Sequence, residues 1–268
     1  MAFISYSSLF VANYSRYLAL TLIWTTYIPM ENQKKSQSPP VSSTESLELD
    51  HINVWLFDLD NTLYPAHCNL FAQIDRRINE YVAQFLDLNL ENARVQQKLY
   101  FKEHGTTLRG LMLEHNVDPH HYMDYVHDID LAPVDPSPDL SAVLHQLPGR
   151  KLIFTNGSTK HAENVTGKLG IEHHFEAIFD IAASDFLPKP DTLPYQKLML
   201  EHDFDAVETI FFDDMDRNLE PAAALGMTTV WVPGHADWSG DGEGDHVHHI
   251  AEDVTAFLQA AVAGLKTA

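Results

Sequence analysis

The sequence predicts an α/β fold: a Rossmann-like parallel sheet core with helices on both faces and a helical cap inserted after the first strand. Short apolar runs recur along the chain, each ending in polar residues. Stretches of helical periodicity separate most of them, which implies parallel strands covered on both faces. One long helical stretch breaks that rhythm between the first and second runs, and it is too long for a loop.

Taken in order, residues 1–49 differ from the rest. Phe3 to Pro29 is apolar and aromatic but carries Asn13 and Arg16, so it fits neither a spanning helix nor a secretory signal. Glu31 to Glu48 is rich in Ser, Gln, Lys and Pro and reads as linker. Met30 opens that linker, so residues 1–49 are expected to be disordered or a spurious extension rather than a membrane anchor. Val54-Trp55-Leu56-Phe57 is then the first strand, ending in Asp58. From Pro65 to Pro138, Leu70, Ile74, Ile78, Val82 and Phe85 recur at helical spacing, as do Val95, Leu99 and Tyr100, then Leu108, Leu111 and Met112. Lys151–Phe154, Ala177–Phe179, Thr209–Phe212 and Thr228–Val232 are the later strands. Helices are predicted over Thr159–Leu169, Thr192–Glu201 and Asn218–Leu225, with Gly226 as a stop. The core domain is thus expected at 50–64 and 139–268, and the cap at 65–138.

The 268 residues carry 38 Asp and Glu against 17 Lys and Arg, a formal net charge of -21. Such a chain repels nucleic acid, and a phosphate site in it needs local positive charge from a metal or a placed lysine. The single cysteine, Cys68, excludes an intramolecular disulfide and a cysteine metal site, and it fits a reducing, cytoplasmic setting. No membrane partner is expected. Among 16 histidines, His246, His248 and His249 cluster beside Asp245, where a solvated loop is favoured over an adventitious metal site.

Four strand ends carry the chemistry, and open parallel sheets place ligands there. In Asp58-Leu59-Asp60-Asn61-Thr62, carboxylates at i and i+2 share one side of an extended chain. Two like charges that close call for a cation, and Mg²⁺ suits oxygen ligands beside phosphate. Asp58 can then attack phosphorus, and Asp60 can protonate the leaving oxygen and activate water. A capped strand-to-helix turn accounts for the pentapeptide almost equally well. Thr155-Asn156-Gly157-Ser158 offers side-chain and backbone donors to an anion, although alone it reads as a helix cap. Lys189, stiffened between Pro188 and Pro190, can neutralise the attacking carboxylate and phosphoryl oxygens; the alternative is a surface lysine in a turn. Asp213 and Asp214 supply further ligands, Asp214 directly and Asp213 through a bound water or first-shell group, and Asp216 is read as an exposed charge.

These motifs, in this order and each at a strand end, resemble the haloacid dehalogenase-like superfamily over about residues 52–232. The resemblance implies Asp58 as nucleophile, Asp60 as acid/base, and Thr155 and Lys189 as phosphate binders. It implies an Mg²⁺ site of Asp58, the backbone carbonyl of Asp60, Asp213 and Asp214. Asp60–Pro65, Gly105–Leu111, Tyr125-Val126-His127, Phe154–Gly157 and His161-Ala162 are similar to the pyrimidine 5'-nucleotidase branch. That branch implies a nucleoside 5'-monophosphate, pyrimidine preferred, as the small-molecule partner. Tyr64, Phe71, Tyr100 and Tyr122 are candidates to stack on a base, with cap core the commoner role for any one of them, and Thr106, Thr107 and Arg109 are candidates to meet ribose or base edge. Broad sugar-phosphate or phosphoglycolate phosphatase and phosphomutase are the alternatives, ahead of a non-catalytic regulatory protein. A haloalkanoate dehalogenase would need neither Asp60 nor a metal.

Overall fold

The computed structural model describes residues 49–234 and 239–265. The expectation for the N-terminal extension therefore lies outside the described residues, apart from Leu49, which is buried in the core. Among the described residues no helix is long and apolar enough to cross a membrane.

Six parallel strands form the sheet in the order β3-β2-β1-β4-β5-β6. They are β1 (Val54–Phe57), β2 (Arg150–Phe154), β3 (Ala177–Phe179), β4 (Thr209–Asp213), β5 (Thr228–Trp231) and β6 (His249–Ile250). β1 lies between β2 and β4, and every one of its residues is buried, which suits its unbroken apolar run. Its alternate side chains serve opposite faces. Trp55 and Phe57 join Ile153 and Phe212 under α5 (Pro138–Gln146), α6 (Thr159–Leu169) and α9 (Val254–Leu265). Phe57 and Phe212 stack there at 4.8 Å between ring centroids. Val54 and Leu56 join Leu152, Phe154 and Phe211 under α7 (Thr192–His202) and α8 (Asp216–Leu225).

The chain leaves β1 for β2 and β3 on one side and returns to β4, β5 and β6 on the other. The reversal falls between β1 and β4, so a crevice opens at their carboxyl ends. Sequence reasoning does not place α5, α9 or β6. β6 has two residues and no alternation to read; Thr229 holds it, donating from its main chain to His248 Nδ1 at 3.0 Å. His248 is exposed, as the solvated-loop reading expects, and its Nδ1 also ties the loop to β5 through Thr229.

Between β1 and β2 stand α1 (Leu70–Phe85), α2 (Leu90–His104), α3 (Thr107–His115) and α4 (Pro119–Val126). They bury a core of their own around Tyr81, Val82, Tyr100, Leu111 and Val126. Leu70 and Val134 instead pack into the core under the sheet, so the independently packed part of the insertion is shorter than 65–138. The periodicity locates α2 and its buried Tyr100 but misplaces two positions: Val95 and Leu99 are exposed, while Ala93 and Gln97 are buried beside Tyr100. Buried Gln97 has polar partners, which hydrophobic patterning cannot detect.

Candidate active site

Asp58 follows the last residue of β1, and its main-chain N–H donates to Phe212 O of β4 at 2.8 Å. Its side chain is therefore held at the strand reversal. Lys189 reaches it from the loop before α7 and is 1% exposed. Its Nζ donates to Asp58 Oδ1 at 2.8 Å, to Asp213 Oδ2 at 2.7 Å and to Phe154 O at 2.8 Å. All three ammonium hydrogens thus have acceptors. Burial works against the ammonium, but Asp213 and Asp58 outweigh it and raise the Lys189 pKa.

Asp58, Asp213 and Asp214 bring carboxylate oxygens within 4.8 Å of one another, all buried. One ammonium cannot balance three carboxylates. Burial pushes Asp58 up to about 7; Lys189 opposes this, while Asp213 and Asp60 add to it. Burial, with Asp213 and Asp58, also drives Asp214 well above the ordinary carboxylate range. The imbalance is two negative charges among hard oxygen donors, the donor set and charge that suit a divalent cation. Within the set the acids differ. Asp213 Oδ1 accepts from Met215 N and from Asn218 Nδ2, both at 2.9 Å, so its two oxygens hold neighbours in place. Asp214 Oδ2 accepts a longer bond, 3.3 Å, from Asn61 Nδ2. Asn61 sits at φ 59°, a left-handed turn that Asn tolerates.

Asp60 occupies a different environment. Its Oδ1 accepts from Tyr64 Oη at 2.6 Å and from His161 Nε2 at 2.8 Å. Burial alone would raise its pKa, but His161 and Tyr64 more than offset it and hold the carboxyl at about 2. Burial and Asp60 keep the Tyr64 hydroxyl protonated. His127 stacks on His161, with centroids 4.3 Å apart and planes 6° apart. Burial, then His161, lowers the His127 pKa to about 3.

Thr155 Oγ1 accepts from Gly157 N at 2.9 Å, shaping the turn after β2. The Asn156 side chain is committed to the lysine loop: its Oδ1 accepts from Lys189 N at 2.9 Å and its Nδ2 donates to Lys189 O at 3.3 Å. Together with Asp58, Asp60, Lys189 and Asp214, these residues line one cavity of about 220 Å³.

The helical insertion forms the opposite wall. Thr106 and Thr107 line the cavity, whereas Arg109 does not. Thr106 also caps α3 by accepting from Arg109 N at 3.1 Å, and Thr107 donates to Gln97 O at 3.2 Å. Of the aromatic stacking candidates, Tyr64, Tyr100 and Tyr122 are almost wholly buried, and Tyr64 serves Asp60 instead. Phe71 and Tyr122 line the cavity. Sequence reasoning missed a polar group on the same wall, where Asp75 accepts from Arg94 Nη1 at 2.5 Å and from Gln97 Nε2 at 2.9 Å. It also missed Arg217, which bridges core and insertion through Gly105 O at 3.4 Å and the Phe101 ring at 4.5 Å. His161 entered only as part of a motif, because 101 residues separate it from Asp60. Asp216 is not a free surface charge. Its Oδ2 accepts from Asp241 N at 3.2 Å and Gly242 N at 3.4 Å, tying down the loop after β5.

The sequence matches the haloacid dehalogenase-like hydrolase family over residues 52–226. It is 25% identical over 193 residues to Phosphate metabolism protein 8 of Saccharomyces cerevisiae, covering 66% of this chain and 60% of that protein, so it spans less than two thirds of that relative. Among solved structures it is similar to CbbY from Rhodobacter sphaeroides in complex with xylulose-1,5-bisphosphate, with a TM-score of 0.56, 18% identity, and 80% and 99% of the two chains covered. It is also similar to an HAD phosphatase from Thermococcus onnurineus, with a TM-score of 0.54, 13% identity, and 80% and 99% covered. At these identities the structural likenesses speak for the fold.

Proposed function

Because this chain belongs to the haloacid dehalogenase-like hydrolase family, we propose that it is a phosphomonoester hydrolase working through an aspartyl phosphate on Asp58, with pyrimidine nucleoside 5'-monophosphates as substrates. The observation that carries the reading is the contrast between two carboxylates on one cavity. Asp58 is bound by Lys189 within an acidic cluster, and Asp60 is bound by His161 and Tyr64. Groups driven apart in this way take different chemical roles.

An Asp58 oxygen attacks phosphorus and the bond to the leaving oxygen breaks, while Asp60 passes a proton to that oxygen. For this the arriving dianion raises the Asp60 pKa, opposing the hold of His161 and Tyr64, and Asp60 takes up a proton from solvent before the attack. Asp60, now a carboxylate, removes a proton from water; the water oxygen attacks phosphorus, and phosphate leaves Asp58 as a free carboxylate. Lys189 and the main-chain donors around Thr155 and Asn156 receive the phosphoryl charge. Asp58, Asp214 and the Asp60 carbonyl would hold Mg²⁺, which supplies positive charge to the phosphoryl group when bound; Asp213 anchors Lys189 beside them. Phe71 and the apolar side chains of α1 offer a surface for a planar base, and Thr106 and Thr107 offer hydroxyls.

The test is phosphate release from UMP, CMP, dUMP, AMP, GMP, a hexose phosphate and phosphoglycolate, with Mg²⁺ and with EDTA. Metal-dependent release strongest for UMP or CMP, abolished in folded Asp58→Asn, is the expected result. Release mainly from the hexose phosphate or phosphoglycolate would keep the mechanism and discard the nucleotide. Unchanged activity in Asp58→Asn would remove the nucleophile.

A further inference from the structure

Resting on the phosphatase reading, we propose that His161, packed against His127 of the helical insertion, is a positioning residue that orients the Asp60 carboxylate for proton transfer. Asp60 presents its two oxygens differently. Oδ1 takes both strong bonds, from His161 Nε2 at 2.8 Å and Tyr64 Oη at 2.6 Å. Oδ2 faces the Thr155–Gly157 turn, lying 3.7 Å from where a Cβ on Gly157 would stand. A carboxylate only accepts hydrogen bonds, so His161 and Tyr64 both donate, and together they stop rotation about the Cβ–Cγ bond. Oδ2 is thereby left toward the phosphate-binding turn.

His161 is itself fixed. It is 1% exposed in the first turn of α6, where Ser158 Oγ accepts its main-chain N–H at 3.3 Å. The same hydroxyl shares a 3.0 Å hydrogen bond with His127 Nδ1. His127 ends α4, the last helix of the insertion, and its ring lies flat against that of His161. One hydroxyl and one ring stack thus join the insertion to the residue that aims Asp60. Misalignment of a proton donor by a fraction of an ångström is enough to lose much of its effect.

The experiment compares kcat/KM for UMP with kcat/KM for p-nitrophenyl phosphate in wild type, His161→Phe, His161→Gln, Tyr64→Phe and His127→Ala, with folding checked by circular dichroism and melting. The alkoxide leaving from UMP needs a proton, and p-nitrophenolate does not. His161→Phe is expected to lose about 10²-fold on UMP and less than about tenfold on p-nitrophenyl phosphate, within the range of general acid catalysis. It is also expected to release a burst of p-nitrophenol, because Asp60 no longer activates water well and phosphorylated Asp58 accumulates. His161→Gln, which keeps a donor, should recover part of the loss; Tyr64→Phe and His127→Ala should show smaller losses with the same selectivity. Equal losses on both substrates, or none, would overturn the positioning role while leaving the phosphatase reading intact. Should His161→Phe fail to fold, the same comparison in Tyr64→Phe, which removes one hydroxyl, decides the matter. Wild type that hydrolyses neither substrate would overturn the phosphatase reading and this inference with it.

Discussion

Lys189 shows how much one side chain can organise. Its ammonium joins the end of β1 to the end of β4 through Asp58 and Asp213, with Phe154 O completing the set. Replacing it with Met removes the only cation among the described residues that binds these two buried acids. Breaking a buried charge pair typically costs about 3–5 kcal/mol, so Lys189→Met should lower the unfolding free energy measured in urea by an amount of that order. Its phosphate release should fall by about 10²-fold or more, through loss of charge stabilisation at the phosphoryl group. Mg²⁺ should restore part of the stability but not the turnover, and equal recovery of both would argue against a direct role for the ammonium. The sequence singled out Lys189 by its flanking prolines and assigned it to the attacking carboxylate. It gave no sign of the bond to Asp213, 24 residues away.

At the scale of elements, α2 and α3 meet through a glycine. A Cβ at Gly110 would stand 2.4 Å from Cγ of Tyr100, a ring buried in the core of the insertion and bonded to His115 Nε2 at 2.6 Å. Gly110→Ala must push the two helices apart, at a cost of about 1–3 kcal/mol for such overpacking. Thr106 and Thr107 cap and open α3, so the shift reaches the cavity wall. The expected outcome is faster amide exchange over residues 90–115 and a severalfold higher KM for UMP, with kcat changed much less. A drop in kcat with constant KM would place the defect at the carboxylates instead. The periodic pattern located these helices, but it put Val95 and Leu99 inside. It found Tyr100, but hydrophobicity cannot recognise a buried face completed by small Ala93 and polar Gln97.

For the whole molecule, the crowding of carboxylates at the sheet reversal links cation binding to stability. Asp58 is raised by burial from 3.8 to about 7, so the folded protein binds that proton more tightly than the unfolded chain. Without metal, this group therefore makes stability fall as pH rises through that window. A divalent cation needs the ionised carboxylate and reverses the trend. The rise in melting temperature produced by Mg²⁺ should be small near about pH 5 and approach its full size above about pH 7. At a hundredfold excess over Kd it should correspond to about 2.7 kcal/mol. Scanning calorimetry across pH with Mg²⁺ and with EDTA checks this; a shift independent of pH would mean that the cation binds elsewhere.

The sequence by itself determined the alternation of strand and helix, the insertion after β1, and the acids, hydroxyls and lysine at the strand ends. These are local properties: an apolar run of a given length, a turn residue, a polar group at the step out of a buried strand. The tertiary structure decided which distant groups share a proton, a charge or a wall. Asp60 and His161, Asp58 and Lys189, and Arg217 and Gly105 are each brought together by the order of strands and the folding back of the insertion. The roles assigned to Tyr64 and Asp216 changed for the same reason. A tyrosine named as one candidate for stacking on a base, with cap core the commoner role, became a donor to Asp60, and an aspartate read as exposed became the anchor of a loop. The partners of a side chain are set by sheet topology and packing across a hundred residues, and no local pattern contains them.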